Sequence, residues 1–385
     1  MIERLIKNNS VIQWLYRVLF SAFFGFIGLF CRTNKRQIIF SSMSGDEYGG
    51  SPKILFEKIY ELYGDSFRYI WAFKKPNNYD DSRIKTVKIN SFKYFLSALK
   101  SGIWITDVNI ERGLRFKKKS TFYINTWHGT GPKGFLKKRK DYNMDNVDLF
   151  CSDGEYLTNE FVTFYHVNPK SIVYSGRPRE DELFIHKTKE QLSSLRRSLG
   201  FRDEDYIILY MPTFRESYKI KKEKPVTIPF DAEVICSSLT KKTRIIYHGH
   251  HFASSENGLV FSDVFLDFSH HKNVNDLYLI SDLLITDYSS SMFDYLILNK
   301  PVLCYAPDLE DYSKMRPMLF DLQKEMPKGV QFSVQELTRT IEELMVDPCL
   351  CDFKTFFCKF INRPPNATDI IIESMIKKGV LPSKE

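Results

Sequence analysis

The sequence predicts an α/β protein of two doubly wound Rossmann-type domains facing a cleft, preceded by a membrane-associated helix. Three observations carry this reading. Short apolar runs bounded by turn residues alternate with helical stretches along most of the chain. The rhythm pauses at the polar helical stretch Lys187–Leu199 and then restarts. Continuous apolar strands joined by helices read as parallel sheets covered on both faces, and two such series read as two domains. The expected division is 1–36 for the membrane segment, 37–185 for the first α/β domain and 186–385 for the second.

The elements follow in chain order. Val11–Phe30 is apolar and aromatic, but only Val18–Phe30 lacks charged or strongly polar groups, which is short for a hydrocarbon core ~30 Å thick. Lys7, Arg17, Arg32, Lys35 and Arg36 flank or interrupt it, and Trp14 and Tyr16 sit where an interfacial belt belongs. The segment reads as a helix lying peripherally in the cytoplasmic face of the membrane, its cations on anionic head groups. A helix packed on the protein itself and a true span are the alternatives. Gln37–Ser41 is then a strand, and Gly45–Gly50 a glycine-rich turn into a helix over Ser51–Leu62 with Pro52 in its first turn. Strands follow at Tyr69–Phe73, Thr86–Ile89, Ile103–Thr106, Thr121–Asn125, Leu149–Ser152 and Ile172–Ser175, with a helix at Glu155–Tyr165. The second series is Tyr206–Met211, Arg244–Tyr247, Val264–Asp267, Leu283–Thr286 and Pro301–Tyr305, closed by helices at Val334–Met345 and Asp369–Lys378. No internal repeat stands out.

Composition narrows the function. Hydrophobic residues make up 43% of 385, enough for two cores, and 32 Phe with 21 Tyr argue against disorder. A formal net charge of +8 calls for an anionic partner. A nucleic acid is not expected, because no basic stripe with interleaved stacking aromatics stands out. Seven scattered cysteines without a C-x-x-C pair read as reduced thiols, with no structural metal and no cofactor expected.

Four constellations lie at predicted strand ends, where open α/β sheets bind ligands. The strand Leu283–Thr286 runs through a polar turn into a helix opening at Ser289, Ser290 and Ser291, with Asp294 one turn on. Unpaired N–H groups, hydroxyls and the positive end of the helix suit a phosphate or diphosphate, although serines also cap ordinary helices. Asn125–Phe135 places Trp127, His128, Gly129 and Thr130 directly after a strand, with Lys133 and the run Lys137, Lys138, Arg139 and Lys140 beyond. His128 has the chemistry of a general base, or is a hydrogen-bonded turn histidine. In Tyr210–Glu216, Thr213 and Arg215 follow a strand, and arginine binds phosphate bidentately unless it is simply on the surface. His248, His250 and His251 follow another strand, without a carboxylate at metal-ligand spacing. His270 and His271 read as a surface pair.

Taken together, Trp127–Thr130, Pro212–Arg215, the histidines after Tyr247, and Ile285–Tyr295 followed by Lys300–Leu303 resemble the CDP-glycerol glycerophosphotransferase family. These are the teichoic acid primases and polymerases and their capsule relatives. Gly50, Ser51, Pro52 and Lys53 resemble that family's N-terminal turn, and the likeness runs from about residue 38 to 330. It implies a GT-B-like fold and transfer of a polyol phosphate from CDP-glycerol or CDP-ribitol to an undecaprenyl-diphosphate-linked glycan acceptor, releasing CMP. By the same resemblance His128 and His250 are the essential histidines, and Ser289 and Ser290 the donor-phosphate serines. His248 stands where the family usually has arginine, and the loop after Thr130 also departs. His128 with Trp127, Gly129, Thr130, Lys133, Ser51 and Lys53 falls on the acceptor side, and Arg215, Thr213, His248, His250, Ser289–Ser291 and Asp294 on the donor side. A nucleotide-sugar glycosyltransferase and a non-enzymatic basic membrane scaffold are the competing readings.

Overall fold

The computed structural model describes residues 9–134, 143–213, 228–249 and 259–383. His250, His251, Arg215, Lys7 and the cationic run 137–140 lie outside the described residues. The chain forms two compact units. One comprises Met1–His128, Lys137–Asp181 and Asn362–Glu385, the other Gly129–Leu136 and Glu182–Ile361.

In the first unit, helix α1 (Ser10–Phe30) precedes β1 (Asn34–Ser41), α2 (Gly50–Tyr63), β2 (Arg68–Phe73), β3 (Ile84–Lys88), α3 (Phe92–Lys100), β4 (Ser101–Thr106), β5 (Phe122–Asn125), β6 (Leu149–Cys151), α4 (Glu155–Tyr165) and β7 (Ile172–Val173). All seven strands pair in parallel, in the order β3-β2-β1-β4-β5-β6-β7. The aromatic wealth of the sequence is spent here. Phe40 stacks on Trp71 at 5.3 Å and Trp71 on Phe73 at 5.7 Å, with Phe56 of α2 edge-on to Phe40 and Trp71. Offset and edge-on rings of this kind add to what their burial alone contributes.

The second unit runs α5 (Lys189–Ser198), β8 (Tyr206–Met211), α6 (Ala232–Ser238), β9 (Thr243–Tyr247), β10 (Phe265–Asp267), α7 (Val274–Ile280), β11 (Leu283–Thr286), α8 (Ser291–Leu296), β12 (Val302–Tyr305), α9 (Leu309–Met315), α10 (Leu322–Glu325), β13 (Val330–Gln331), α11 (Val334–Val346) and α12 (Leu350–Phe360). Its six strands are also all parallel, ordered β10-β9-β8-β11-β12-β13. Each sheet therefore reverses its strand order once, between β1 and β4 and between β8 and β11. The expected strands are present with ends shifted by up to three residues, the largest shift being β1, which begins at Asn34 rather than Gln37. The two-residue β13 was not expected, because so short a piece carries no readable period.

After α12 the chain returns to the first unit as α13 (Ala367–Lys377), whose Ile371, Ile372 and Met375 join the core with Leu55, Phe56 and Ile59 of α2. A buried charge cluster fastens the return. Arg177 pairs with Asp153 and Glu180, and Arg363 pairs with the same two carboxylates, its Nε 2.9 Å from Asp153 Oδ1. Asp181 then accepts the first N–H groups of α13, from Ala367 at 2.9 Å and Thr368 at 2.8 Å. Two guanidiniums and two carboxylates satisfy one another's charge and hydrogen bonds, which tolerates burial only while all four are present. Gly176 leaves room for the Arg363 side chain, since a Cβ there would meet its Nε at 2.1 Å.

Helix α1 begins at Asn9, whose side chain accepts from the N–H groups of Val11 and Ile12. At 21 residues it is about 30 Å long, and it is apolar enough to cross a membrane by length and composition. One narrow face packs on the first unit. Phe24 is buried against Phe95 at 4.5 Å, Phe116 at 5.9 Å and Phe92 at 6.2 Å. Arg115 N–H donates to Ser21 Oγ and Lys118 Nζ to the Cys31 carbonyl, which places cations of the 111–119 loop alongside the helix. The remaining faces expose Trp14, Leu19, Phe26 and Leu29, each more than 60% accessible.

Removing one member of the charge cluster tests its weight. Arg363→Ala is expected to lower the unfolding free energy by roughly 3–5 kcal/mol, read from urea denaturation, and a loss under about 1 kcal/mol would show that the cluster does not hold the C-terminal return.

Candidate active site

Both sheets carry the same device where their strand order reverses. In the first, Asp107 follows β4 and its carboxylate accepts the Ser42 hydroxyl and the Met43 N–H, each at 2.9 Å, from the turn after β1. In the second, Asp287 follows β11 and accepts the Thr213 N–H on both oxygens, at 2.9 and 3.0 Å, from the turn after β8. The strands end alike, in Ile105-Thr106-Asp107 and Ile285-Thr286-Asp287. This correspondence was not read from the sequence, where no repeat stood out. Its only local signal is that tripeptide, too short to notice until both copies fall on the same strand of two like sheets.

Around Asp107 the first unit gathers most of the residues placed on the acceptor side. Gly50 begins α2 at a φ of +60°, and a Cβ there would stand 3.1 Å from Ser42 Oγ and 3.3 Å from Asp107 Oδ2. That left-handed backbone and that closeness both favour glycine. Ser51 is buried and its Oγ accepts the Arg179 N–H at 3.4 Å, while Lys53 stands 5.2 Å over the Tyr48 ring. Burial pushes the Asp107 carboxyl up to about 6, against the pull of its hydrogen bonds from Ser42 and Met43.

His128 is exposed at the end of the turn after β5, and its Nδ1 lies 3.0 Å from the Asp107 carbonyl. Trp127 takes a φ of +55° and is buried, with ring centroids 5.1 Å from Phe161, 5.3 Å from Tyr165 and 6.0 Å from Phe150. It is thus the anchor of the turn, and His128, 4.2 Å from it, is the residue presented. Gly129, Thr130 and Lys133 belong to the second unit, where Thr130 is buried and Lys133 bridges to Met318.

In the second unit the serines divide. Ser289 and Ser290 are partly exposed ahead of α8, whereas Ser291 is buried, its Oγ 3.3 Å from Thr286 Oγ1. Asp294 is buried as well. Ser291, expected on the donor side with Ser289 and Ser290, is carried inward by the helical turn. Gly131 approaches closely, and a Cβ on it would be 3.4 Å from the Ser290 nitrogen. His248 is half-buried with Nε2 3.3 Å from the His271 carbonyl, and His271 pairs with Asp276 at 3.0 Å. His271 is therefore tied into the unit and is not part of a surface pair, whereas His270 is exposed to solvent. Lys300 also proves structural. Its Nζ donates to the carbonyls of Leu279 and Ser281 at the end of α7, and burial pulls its pKa down to about 8.

The raised Asp107 pKa gives a signed pH dependence. The folded state holds that proton up to about pH 6 and the unfolded chain only to about 3.8, so ionisation of this buried group costs stability as pH rises between the two. Relative to Asp107→Asn, the native protein is expected to lose about 3 kcal/mol between pH 3.5 and 7, measured by urea unfolding across that range. Parallel pH curves for the two proteins would contradict this.

Comparison with known proteins identifies the family. The family described as CDP-Glycerol:Poly(glycerophosphate) glycerophosphotransferase matches residues 23–349. A teichoic acid poly(glycerol phosphate) polymerase of Bacillus spizizenii is 29% identical over 96% of this chain and 98% of its own. A teichoic acid glycerol-phosphate transferase of Staphylococcus aureus is 30% identical over 81% of this chain and 84% of its own. The chain spans about half the length of two further poly(glycerol phosphate) polymerases that it matches, 46% and 48% of them. Among solved structures, a histidine variant of the wall teichoic acid polymerase TagF superposes with a TM-score of 0.78 at 26% identity over 90% of each chain. The same polymerase soaked with CDPG superposes at 0.76, also 26% identical, over 90% of this chain and 89% of that one. The fold is accordingly GT-B-like, and the chain belongs to the CDP-Glycerol:Poly(glycerophosphate) glycerophosphotransferase family.

Proposed function

We propose that this protein transfers glycerol phosphate, or ribitol phosphate, from a CDP-polyol to a hydroxyl of an undecaprenyl-diphosphate-linked glycan acceptor, releasing CMP, in wall teichoic acid or capsular polymer synthesis. The observation that carries the reading is His128 itself, exposed beyond β5 and held at Nδ1 beside the reversal point of a sheet, in a chain matched by this family over most of its length. The acceptor hydroxyl attacks the β-phosphorus. A new O–P bond forms as the P–O bond to the CMP phosphate breaks, the electron pair leaves with CMP, and His128 takes the hydroxyl proton.

The donor diphosphate is held by His250, Arg215, His248 and the Thr213 turn, with Ser289 and Ser290 donating ahead of α8. Ser291 and Asp294 build the start of that helix from within. The first unit serves the acceptor and the second the donor, so the division expected at 185/186 is corrected by the return of 362–385 to the first unit and by 129–136 joining the second. Where the family usually has arginine, His248 is a weaker cation near neutral pH, so this contact strengthens as the pH falls. Helix α1 lies on the cytoplasmic face of the membrane as a peripheral anchor, its exposed aromatic and aliphatic faces in the interface and the cations of the 111–119 loop on anionic head groups.

The deciding assay is acceptor-dependent CMP release from CDP-glycerol and then CDP-ribitol. His128→Ala is expected to reduce turnover by roughly 10²–10⁴-fold, the range for loss of a general base, and near-native turnover would sink its role. For the anchor, Leu19→Glu combined with Phe26→Glu is expected to abolish cosedimentation with phosphatidylglycerol vesicles. Undiminished sedimentation would remove α1 as the docking element.

A further inference from the structure

The turn that carries His128 is bonded along its length to one short stretch of chain. Thr126 N–H donates to the Thr106 carbonyl at 2.9 Å, His128 Nδ1 lies 3.0 Å from the Asp107 carbonyl, and Asn125 Nδ2 donates to the Val108 carbonyl at 2.7 Å. Three consecutive carbonyls, from the last residue of β4 onward, thus receive three groups from the end of β5 and the turn beyond it. Asn125 closes the turn from within, because its Oδ1 accepts the Trp127 N–H at 2.8 Å while its Nδ2 is engaged with Val108. Both Asn125 and Asp107 are buried. The Asp107 carboxylate ties the same three-residue stretch to the turn after β1 through Ser42 and Met43.

A carbonyl has lone pairs and no proton, so the hydrogen at the Nδ1 contact belongs to the imidazole. A neutral ring with its proton on Nδ1 keeps its basic lone pair on Nε2. A histidine side chain in water favours the Nε2–H tautomer, so this state persists only while the Asp107 carbonyl is held in place. The Trp127 φ of +55° works against it, since a left-handed conformation costs a bulky residue roughly 1–2 kcal/mol. The packing of Trp127 on Phe150, Phe161 and Tyr165, with the bonds of Asn125, keeps the turn wound.

We infer that Asp107 and Asn125 are positioning residues that hold His128 in the Nδ1–H tautomer, making Nε2 the nitrogen that receives the acceptor proton. Neither side chain touches substrate, and both act through the backbone of residues 106–108 and 125–128. The inference rests on the phosphotransfer reading for its catalytic consequence, but the tautomer is observable without turnover.

The test is a long-range ¹H–¹⁵N correlation spectrum of full-length protein labelled with ¹⁵N-histidine, the His128 signals being assigned by their loss in His128→Ala. The native spectrum is expected to show a protonated Nδ1 and an unprotonated Nε2. In Asp107→Ala and in Asn125→Ala the pattern shifts towards Nε2–H, and turnover falls roughly 10²-fold, the cost of a misplaced catalytic group. The KM for CDP-glycerol stays within about twofold, as expected when donor binding is untouched. Asp107→Asn, whose amide oxygen still accepts the Met43 N–H, restores most of both the tautomer and the rate, so a poorly folded alanine variant does not decide the matter. A native His128 protonated on Nε2, or an unchanged pattern in both alanine variants, overturns the inference. A shifted tautomer with unchanged turnover upholds the positioning and removes His128 as the base, which is a failure of the functional reading alone.

Discussion

Where a parallel sheet reverses its strand order, the connections from the two central strands leave in opposite directions and open a crevice beyond the strand ends. The N–H groups of the turns there need other partners. In this protein a buried aspartate supplies them twice. Asp107 spans from the end of β4 to Ser42 and Met43, and Asp287 spans from the end of β11 to Thr213. Gly50 and His128 lie against Asp107, and Thr213 is bonded to Asp287. The constraint costs something at Asp107, whose ionised form is disfavoured by burial. What it secures is a fixed backbone on which small neighbouring groups are displayed.

The second structural commitment is the return of the chain to the first unit. A segment arriving from the far end of the sequence has little local pattern to guide it, and α13 docks through a modest apolar face, Ile371, Ile372 and Met375. The paired charges of Arg177, Arg363, Asp153 and Glu180 add geometric specificity, because any other placement of Arg363 leaves carboxylates buried without their second partner. Gly176 belongs to the same arrangement, as its missing side chain is the space the guanidinium occupies.

At the N-terminus the balance is reversed. Helix α1 buries Phe24 in an aromatic nest and leaves most of its apolar surface outside. Its bonded side carries the Arg115 N–H on Ser21 and the Lys118 Nζ on the Cys31 carbonyl. One side engaged with protein and the others open is the arrangement on which the proposed interfacial docking rests. The same apolar run that looked short for a span in the sequence is therefore extended into a full helix by the Asn9 cap and the polar turn after it.

The sequence by itself determined what depends on near neighbours. Strands such as Tyr206–Met211 and Leu283–Thr286, the helix Glu155–Tyr165, the restart after Lys187–Leu199 and the placement of histidine and serine motifs just beyond strands were legible, because period, capping and turn chemistry act over a few residues. The family was legible as well, since its motifs are short and ordered along the chain. Only the tertiary structure decided which groups meet. Nothing near Asp107 in the sequence announces that it will bond Ser42 and underlie His128, and nothing in three adjacent serines announces that Ser291 alone turns inward. The contact of His128 with the Asp107 carbonyl and the burial of Arg363 beside Asp153 belong to the same class. These outcomes are set by hydrogen bonds and packing between segments far apart in the chain, and such pairings exist only after the sheets have closed.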